Sequence, residues 1–426
     1  MTPPEGSHVS SVSVEPRRLA RRFRPFATPH KHGLLSGMHG VHEGQAPRQR
    51  LLGLDGLRGI AVLLVLLFHN RHGLNGNSKI MPAFGWWGVQ VFFVLSGYLI
   101  SRLLDRRTDA PLGEFLREFY GRRALRIFPL YFVAVFVIQV LCWLGFGMDG
   151  ARDGMPYAWT YTYNFYAATA AATHSEATAH FWSLCVEEQF YLIWPFVIYF
   201  CPRSKQRLLL GSVALSGPMI RLALWLLVSA FPTAFYAQPG IALYVTMPAH
   251  LDAFAVGALM ALFPPQRSGL KLAGASVALL VAGGLVVRFS SSTWDDTWYA
   301  LGYPLGLVPG DAFVWGYSLI NLCSGLLIDY LVLEGAASRL FETPILRYLG
   351  KISYGIYVLH YPLQLLVSTL LPSARIFVRL PIQLVLTTVL ASASYYLLEA
   401  PFLELKERWF PVPTRLPSEQ VRAVSS

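Results

Sequence analysis

Ten runs of apolar residues, each about 20 long, recur along the chain near 54–70, 84–104, 127–146, 181–200, 208–231, 248–263, 270–288, 305–330, 350–371 and 376–398. A bilayer core is crossed by roughly 20 apolar residues in helical form. Backbone groups in lipid find hydrogen-bond partners only within a helix or a closed barrel, and the ten-residue alternating strands of a barrel are absent from this sequence. The pattern predicts an all-α fold, a polytopic transmembrane helix bundle of about ten transmembrane helices within residues 51–402. Residues 1–50, rich in Gly, Pro, His and Arg, read as a disordered basic cytoplasmic tail, and residues 403–426 as a short cytoplasmic tail. Five histidines fall in the first tail (His8, His30, His32, His39 and His42), at spacings too irregular for a metal site.

Composition agrees with the pattern. Of 426 residues, 54% are hydrophobic and only 14% charged, too few charges for the surface of a soluble protein of this size. The formal net charge is +11, spread over tails and short loops rather than gathered in one block, which points to membrane topology and away from a nucleic-acid partner. With loops assigned alternately to the two sides, Lys and Arg concentrate in 101–126, 201–207, 264–271 and 331–351. Those loops are therefore predicted to be cytoplasmic, with both termini on the same side, in a multi-pass protein of the inner (cytoplasmic) membrane. The four cysteines (Cys142, Cys185, Cys201 and Cys323) sit in or beside apolar runs without paired spacing and read as small apolar fillers.

Each ionisable group deep in a membrane costs about 2.5–3.5 kcal/mol on insertion scales, so such residues mark where to look for chemistry. Arg58 and His69 bracket the first run. Eleven steps of a helix bring them back to one face, about 16 Å apart. Two readings fit: a positive-inside anchor with an interfacial imidazole, or a cation holding the phosphates of CoA while the imidazole meets the thioester. Ser96 and Gly97 in the second run read mainly as a close-packing site for another helix. Arg122, Arg123 and Arg126 stand where the third run begins, and their guanidinium groups suit membrane anchoring or bidentate phosphate contacts. Glu187 and Glu188, adjacent in an apolar run, point about 100° apart. One is expected to pair with an arginine and the other, taken here as Glu187, to orient an imidazole or the acceptor. Ser353, Tyr357 and His360 recur at helical spacing on a polar strip of the ninth run, Asp252 follows His250 in the sixth, and Asp311 falls in the eighth. Arg221 is a candidate partner for a buried carboxylate.

In order, these segments resemble the acyltransferase family 3 membrane proteins, bacterial enzymes that O-acylate cell-surface polysaccharides and some secondary metabolites. The resemblance rests on Arg58-x10-His69, Phe-Phe-Val-Leu-Ser-Gly-Tyr-Leu-Ile at 92–100, and Arg-x-x-Arg-Ile-x-Pro-x-Tyr from Arg123 to Tyr131. It extends to His-x-Trp-Ser-Leu-x-Val-Glu-Glu-Gln-Phe-Tyr from His180, Ser-Tyr-Gly-Ile-Tyr-x-x-His at 353–360, and Glu-x-Pro-Phe from Glu399. Each alone is weak; six in family order are specific. The resemblance implies a cytoplasmic acyl-CoA donor, most simply acetyl-CoA, and a carbohydrate or glycosylated metabolite as acceptor. It makes His69 the catalytic histidine and Arg58 its essential partner. Two positions depart from the pattern: Gln90 stands where relatives often carry an acidic residue, and His250 where an arginine commonly precedes the aspartate. Many relatives continue into a soluble hydrolase-like domain, whereas about 24 residues follow Phe402 here. Transfer is therefore expected to be completed by this chain itself or by a separate partner.

The expected reaction has His69 and Glu187 as catalytic residues, and Arg58, Arg123, Arg126, Asp252, Tyr357 and His360 as substrate-binding ones. His69 acts as general base on the acceptor hydroxyl, or alternatively forms a covalent acyl-histidine. Thioesters are already activated and no ligand cluster stands out, so neither a metal nor a prosthetic group is expected. The rival reading from another class is a transporter or flippase whose buried charges line a path; a second is a sensor or scaffold whose charges lock the bundle.

Overall fold

The computed structural model describes residues 46–72, 81–146, 149–173, 175–235, 239–264, 269–290, 300–307, 311–333 and 338–411. The tail histidines lie outside the described residues, as do residues 412–426. All ten apolar runs contain helix: α1 (Ala46–His69), α2 (Trp87–Asp105), α3 (Leu112–Trp143), α4 (Phe181–Phe200), α5 (Arg203–Ala230), α6 (Leu251–Leu262), α7 (Gly269–Ser290), α8 (Ala312–Leu333), α10 (Ser353–Leu370) and α11 (Ile376–Ser394). A short α9 (Pro344–Lys351) precedes α10, and α12 (Ala400–Trp409) follows α11 through a π-helical turn at Tyr395–Glu399. Among the described residues there is no strand, only an isolated bridge between Thr169 and Phe235.

Six of these elements, in α1, α2, α3, α5, α8 and the continuous run Ile376–Trp409, are long and apolar enough to cross a membrane. Their outward faces show why water is excluded as their solvent. Only 17% of the apolar window of α5 is buried within the protein, and Leu215, Met219 and Leu226 project from it exposed. Phe136 and Val137 on α3, and Val385 and Val389 on α11, continue this apolar surface. A surface of this extent needs lipid around it, and the chain is a multi-pass membrane protein.

Several boundaries differ from those expected. The α-helix of the eighth run, predicted from residue 305, begins at Ala312, and in the described part of its start Gly306 and Leu307 take positive φ. Asp311 consequently precedes α8, exposed and also at positive φ, instead of lying within a span. Beyond residue 402, expected to begin a tail, α12 runs on to Trp409 and packs against α3, where Arg122 bonds the Phe410 carbonyl and reaches Glu407 at 2.9 Å.

The centre of the bundle is the close crossing of α2 with α6. A Cβ on Gly97 would lie 2.2 Å from the Phe254 carbonyl oxygen, and one on Gly257 2.0 Å from that of Val94. Only hydrogen at these two positions lets the backbones meet. Phe254 then stacks on Phe190 of α4 at 4.0 Å between ring centroids, so α4 is held against the pair, with Glu187 reaching Ser96 of α2 and Ser183 reaching Tyr357 of α10.

Candidate active site

Three segments each set polar residues eleven positions apart in mostly apolar sequence: Arg58 and His69 on α1, His180 at the cap of α4 and Tyr191 within it, and Ser353 and Gln364 on α10. Eleven residues complete three helical turns, so the two residues of each pair lie on one face. Together they build two polar centres.

The first is a cavity of about 330 Å³, lined by Arg58, by Arg122, Arg123 and Arg126 of α3, and by Lys406 of α12. Against these cations stand Glu187 and Glu188 of α4, while Phe92, Leu95 and Leu99 of α2 supply an apolar wall. Arg58 approaches Asp55 at 3.9 Å, a distant pair. Arg123 lies over the Tyr191 ring, 5.2 Å from its centroid. Arg126 has no carboxylate within ion-pair distance among the described residues. With more cations than carboxylates in a partly apolar hollow, the cavity suits an anion with a lipophilic arm.

Glu187 faces this cavity. Its Oε1 accepts from the Ser96 hydroxyl at 2.7 Å and its Oε2 lies 3.4 Å from the Tyr191 hydroxyl. The structure thus does not bring Glu187 to an imidazole, since α4 turns its carboxylate toward the arginines. Ser96, expected mainly as a packing residue, lines the cavity, while its neighbour Gly97 makes the helix contact. Glu188 lines the same cavity, whose breadth spans the 100° between the two carboxylates.

The second centre lies at the other end of α1. His69 Nδ1 is 2.7 Å from His360 Nε2, and His360 Nδ1 is 2.6 Å from the Tyr357 carbonyl oxygen. A carbonyl only accepts, so His360 Nδ1 carries the proton and, in the neutral ring, Nε2 the lone pair. His69 must then donate from Nδ1, which leaves the lone pair of its neutral ring on Nε2, as a general base requires. Gln364 Nε2 donates to the His69 carbonyl at 2.9 Å, and Tyr361 sets its ring edge-on to His69 at 4.1 Å. His180 joins the cluster, its ring 5.1 Å from that of His360, with Nε2 donating to the Val358 carbonyl at 3.0 Å. Its Nδ1 is buried with no hydrogen-bond partner.

Tyr357 separates the two centres. Its hydroxyl bonds Ser183 on the cavity floor, while its carbonyl holds His360 on the far side. His69 and His360 are not among the residues lining the cavity.

Asp252 belongs to neither centre. Arg221 Nη1 meets its Oδ2 at 3.0 Å, with the side chains 0% and 1% exposed. Ser318 and Asn321 of α8 donate to the same carboxylate at 2.6 and 3.1 Å, and Arg221 also bonds the carbonyls of Ala249 and Val314. This sealed knot ties α5, α6 and α8 together. Gln90 and His250, the two departures from the family pattern, touch each other: Gln90 Nε2 lies 3.3 Å from His250 Nδ1, whose ring donates from Nε2 to the Tyr244 carbonyl at 2.7 Å. In this chain the two form a neutral hydrogen-bonded pair. His180, Ser183, Ser96 and Gln364 were missed as site residues from sequence, although the eleven-residue spacings on α4 and α10 were available as a signal.

Comparison with known proteins accords with this arrangement. The acyltransferase domain model matches residues 51–398. The peptidoglycan O-acetyltransferase OatA of Listeria monocytogenes is 26% identical over 335 residues, covering 76% of this chain and 51% of that protein. The O-acetyltransferase OatA of Staphylococcus aureus is 28% identical over 335 residues, covering 75% of this chain and 51% of that protein. A putative O-acetyltransferase of the same species is 27% identical over 328 residues, covering 72% and 50%. The chain therefore spans about half the length of the curated relatives it matches. No solved structure gives a significant match. The match over residues 51–398 places the chain in the acyltransferase family 3 of membrane acyltransferases.

Proposed function

We propose that this protein is an O-acyltransferase that moves an acetyl group from acetyl-CoA to a hydroxyl of a carbohydrate acceptor, with His69 as general base. The observation that carries the reading is the layout of α1. One end delivers Arg58 to a cationic cavity, and the other delivers His69, in the tautomer a base needs, to a histidine pair. The names of the relatives, O-acetyltransferases and in one case a peptidoglycan O-acetyltransferase, support acetyl as the group and a glycan as the acceptor. In this reading all ten helical runs cross the cytoplasmic membrane, both termini are cytoplasmic, and the cavity opens to the cytoplasm, where the loops bordering it are rich in Arg.

Arg58, Arg123 and Arg126 hold the donor phosphates, and the apolar wall of α2 receives the pantetheine arm. The thioester approaches Tyr357, whose phenol must leave Ser183 to admit it to the histidines. The acceptor oxygen attacks the thioester carbonyl as His69 Nε2 takes its proton; the tetrahedral intermediate collapses, the C–S bond breaks, and the imidazolium returns the proton to the thiolate, leaving an ester and free CoA. His360 accepts from His69 Nδ1 throughout and so stabilises the imidazolium. The test uses the purified full chain in nanodiscs with acetyl-CoA and glycan fragments. Thiol release and ester formation should require the acceptor and fall about 10²–10⁴-fold in His69→Ala; ester formation at the wild-type rate in that variant refutes the assignment.

A further inference from the structure

Among the buried polar groups that this mechanism leaves unused is a cation on α11. Arg379 of α11 is 5% exposed, and its Nε and Nη1 have no hydrogen-bond partner. An unpaired buried guanidinium is costly, and where it persists a missing partner is the natural reason.

Its position tells what that partner must be near. Gly355 meets Ala391 at the cavity end of α10, and Gln383 Nε2 donates to the His360 carbonyl at 3.2 Å, so α11 runs antiparallel to α10. Arg379, Gln383, Thr387 and Ala391 form the buried face of α11 at steps of four. Arg379 therefore lies one turn, about 6 Å, beyond the level of His360 on the side away from the arginine-lined cavity. On α10, Gln364 is likewise one turn beyond His360. Its Nε2 is engaged with the His69 carbonyl, and its buried Oε1 has no partner. A fork of N–H donors and a carboxamide acceptor are thus both unsatisfied just past the imidazole pair.

We propose that Arg379 and Gln364 form an acceptor subsite that selects a sugar carrying an oxyanion, carboxylate or phosphate, close to the hydroxyl that is acylated. The guanidinium takes the oxyanion in a charge-assisted pair, and Gln364 Oε1 accepts from a neighbouring hydroxyl or amide N–H. The proposal rests on His69 being the reaction centre. Two donor-free binding comparisons on the full chain in nanodiscs test it: N-acetylglucosaminyl-N-acetylmuramic acid against its carboxyl methyl ester, and N-acetylglucosamine 1-phosphate against N-acetylglucosamine. Wild type should bind at least one anionic member about ten-fold more tightly than its neutral counterpart. Preference in the first pair marks a glycan carboxylate, and in the second the phosphate of a linked carrier. Arg379→Gln should erase the preference, Arg379→Lys should keep part of it, and both should melt close to wild type, because Nε and Nη1 have no hydrogen bond to lose. The proposal is overturned if wild type shows no preference in either pair, if Arg379→Gln retains it, or if Arg379→Gln melts far below wild type, which would make the arginine a structural support. Anion preference without acetyl transfer would keep an anion site at Arg379 but sink the transferase reading on which its role as acceptor subsite rests; transfer without preference would do the reverse.

Discussion

The hydrogen bond between His69 and His360 makes a sharp quantitative claim. Because the Tyr357 carbonyl accepts from His360 Nδ1, His360 Nε2 must accept from His69. Replacing His360 with Ala removes that acceptor while leaving His69 in place. The lost bond is worth about 0.5–1.5 kcal/mol to the neutral base and about 1.5–3 kcal/mol once His69 is charged in the transition state. The barrier to kcat rises by the difference, about 1–1.5 kcal/mol, and 1.36 kcal/mol is tenfold in rate, so kcat should fall about five- to ten-fold. KM for acetyl-CoA should stay near wild type, since His360 lies outside the cationic cavity. Gln places its Oε1 near the former Nε2, so His360→Gln should recover most of the rate. His69→Ala should cost about 10²–10⁴-fold, the usual share of a general base. The double variant should be no slower than His69→Ala alone, because His360 acts only through that ring. The assay is thiol release from acetyl-CoA with acceptor, on variants matched for monodispersity. Additive losses in the double variant, or a Gln variant as slow as the Ala one, would refute the argument.

Other consequences follow from the same geometry. Arg58→Gln should raise KM for acetyl-CoA about ten-fold or more with a smaller change in kcat, as expected for a lost charge-assisted phosphate contact; an unchanged KM would reduce Arg58 to an anchor. Tyr357→Ala, which removes the wall between the two centres, should increase acceptor-independent hydrolysis of acetyl-CoA several-fold, read as thiol release without glycan, and no increase would mean that Tyr357 is not the partition. Asp252→Ala should destabilise the bundle by about 3–5 kcal/mol by stranding Arg221, while a paired Arg221→Met and Asp252→Leu replacement should recover much of the loss. Melting in detergent checks both, and a harmless Asp252→Ala would show the knot to be dispensable.

Much of the site was legible because lipid makes polar residues conspicuous. Arg58, His69, Glu187, Tyr357 and His360 stood out as groups that apolar runs do not carry without reason. Partner choice was less legible. Asp252 looked like a ligand group because burial is costly, yet the partner that compensates it, Arg221, comes from a helix whose contact with α6 depends on packing. Glu187 and His69 lay on predicted helices whose rotation about their own axes the sequence left open. The crossing at Gly97 and Gly257 settles that rotation for α2 and α6, and aromatic stacking on Phe254 carries it to α4.

The helices, the membrane as their solvent, and the eleven-residue spacings follow from sequence alone, because periodicity and hydropathy act within one segment at a time. Which polar pair faces which, the tautomer running from Tyr357 through His360 to His69, the extension of α12 over the cavity and the unpaired guanidinium of Arg379 arise only in the folded bundle. Each depends on the distance between atoms on different helices, and that distance is set by how side chains interlock across the whole core.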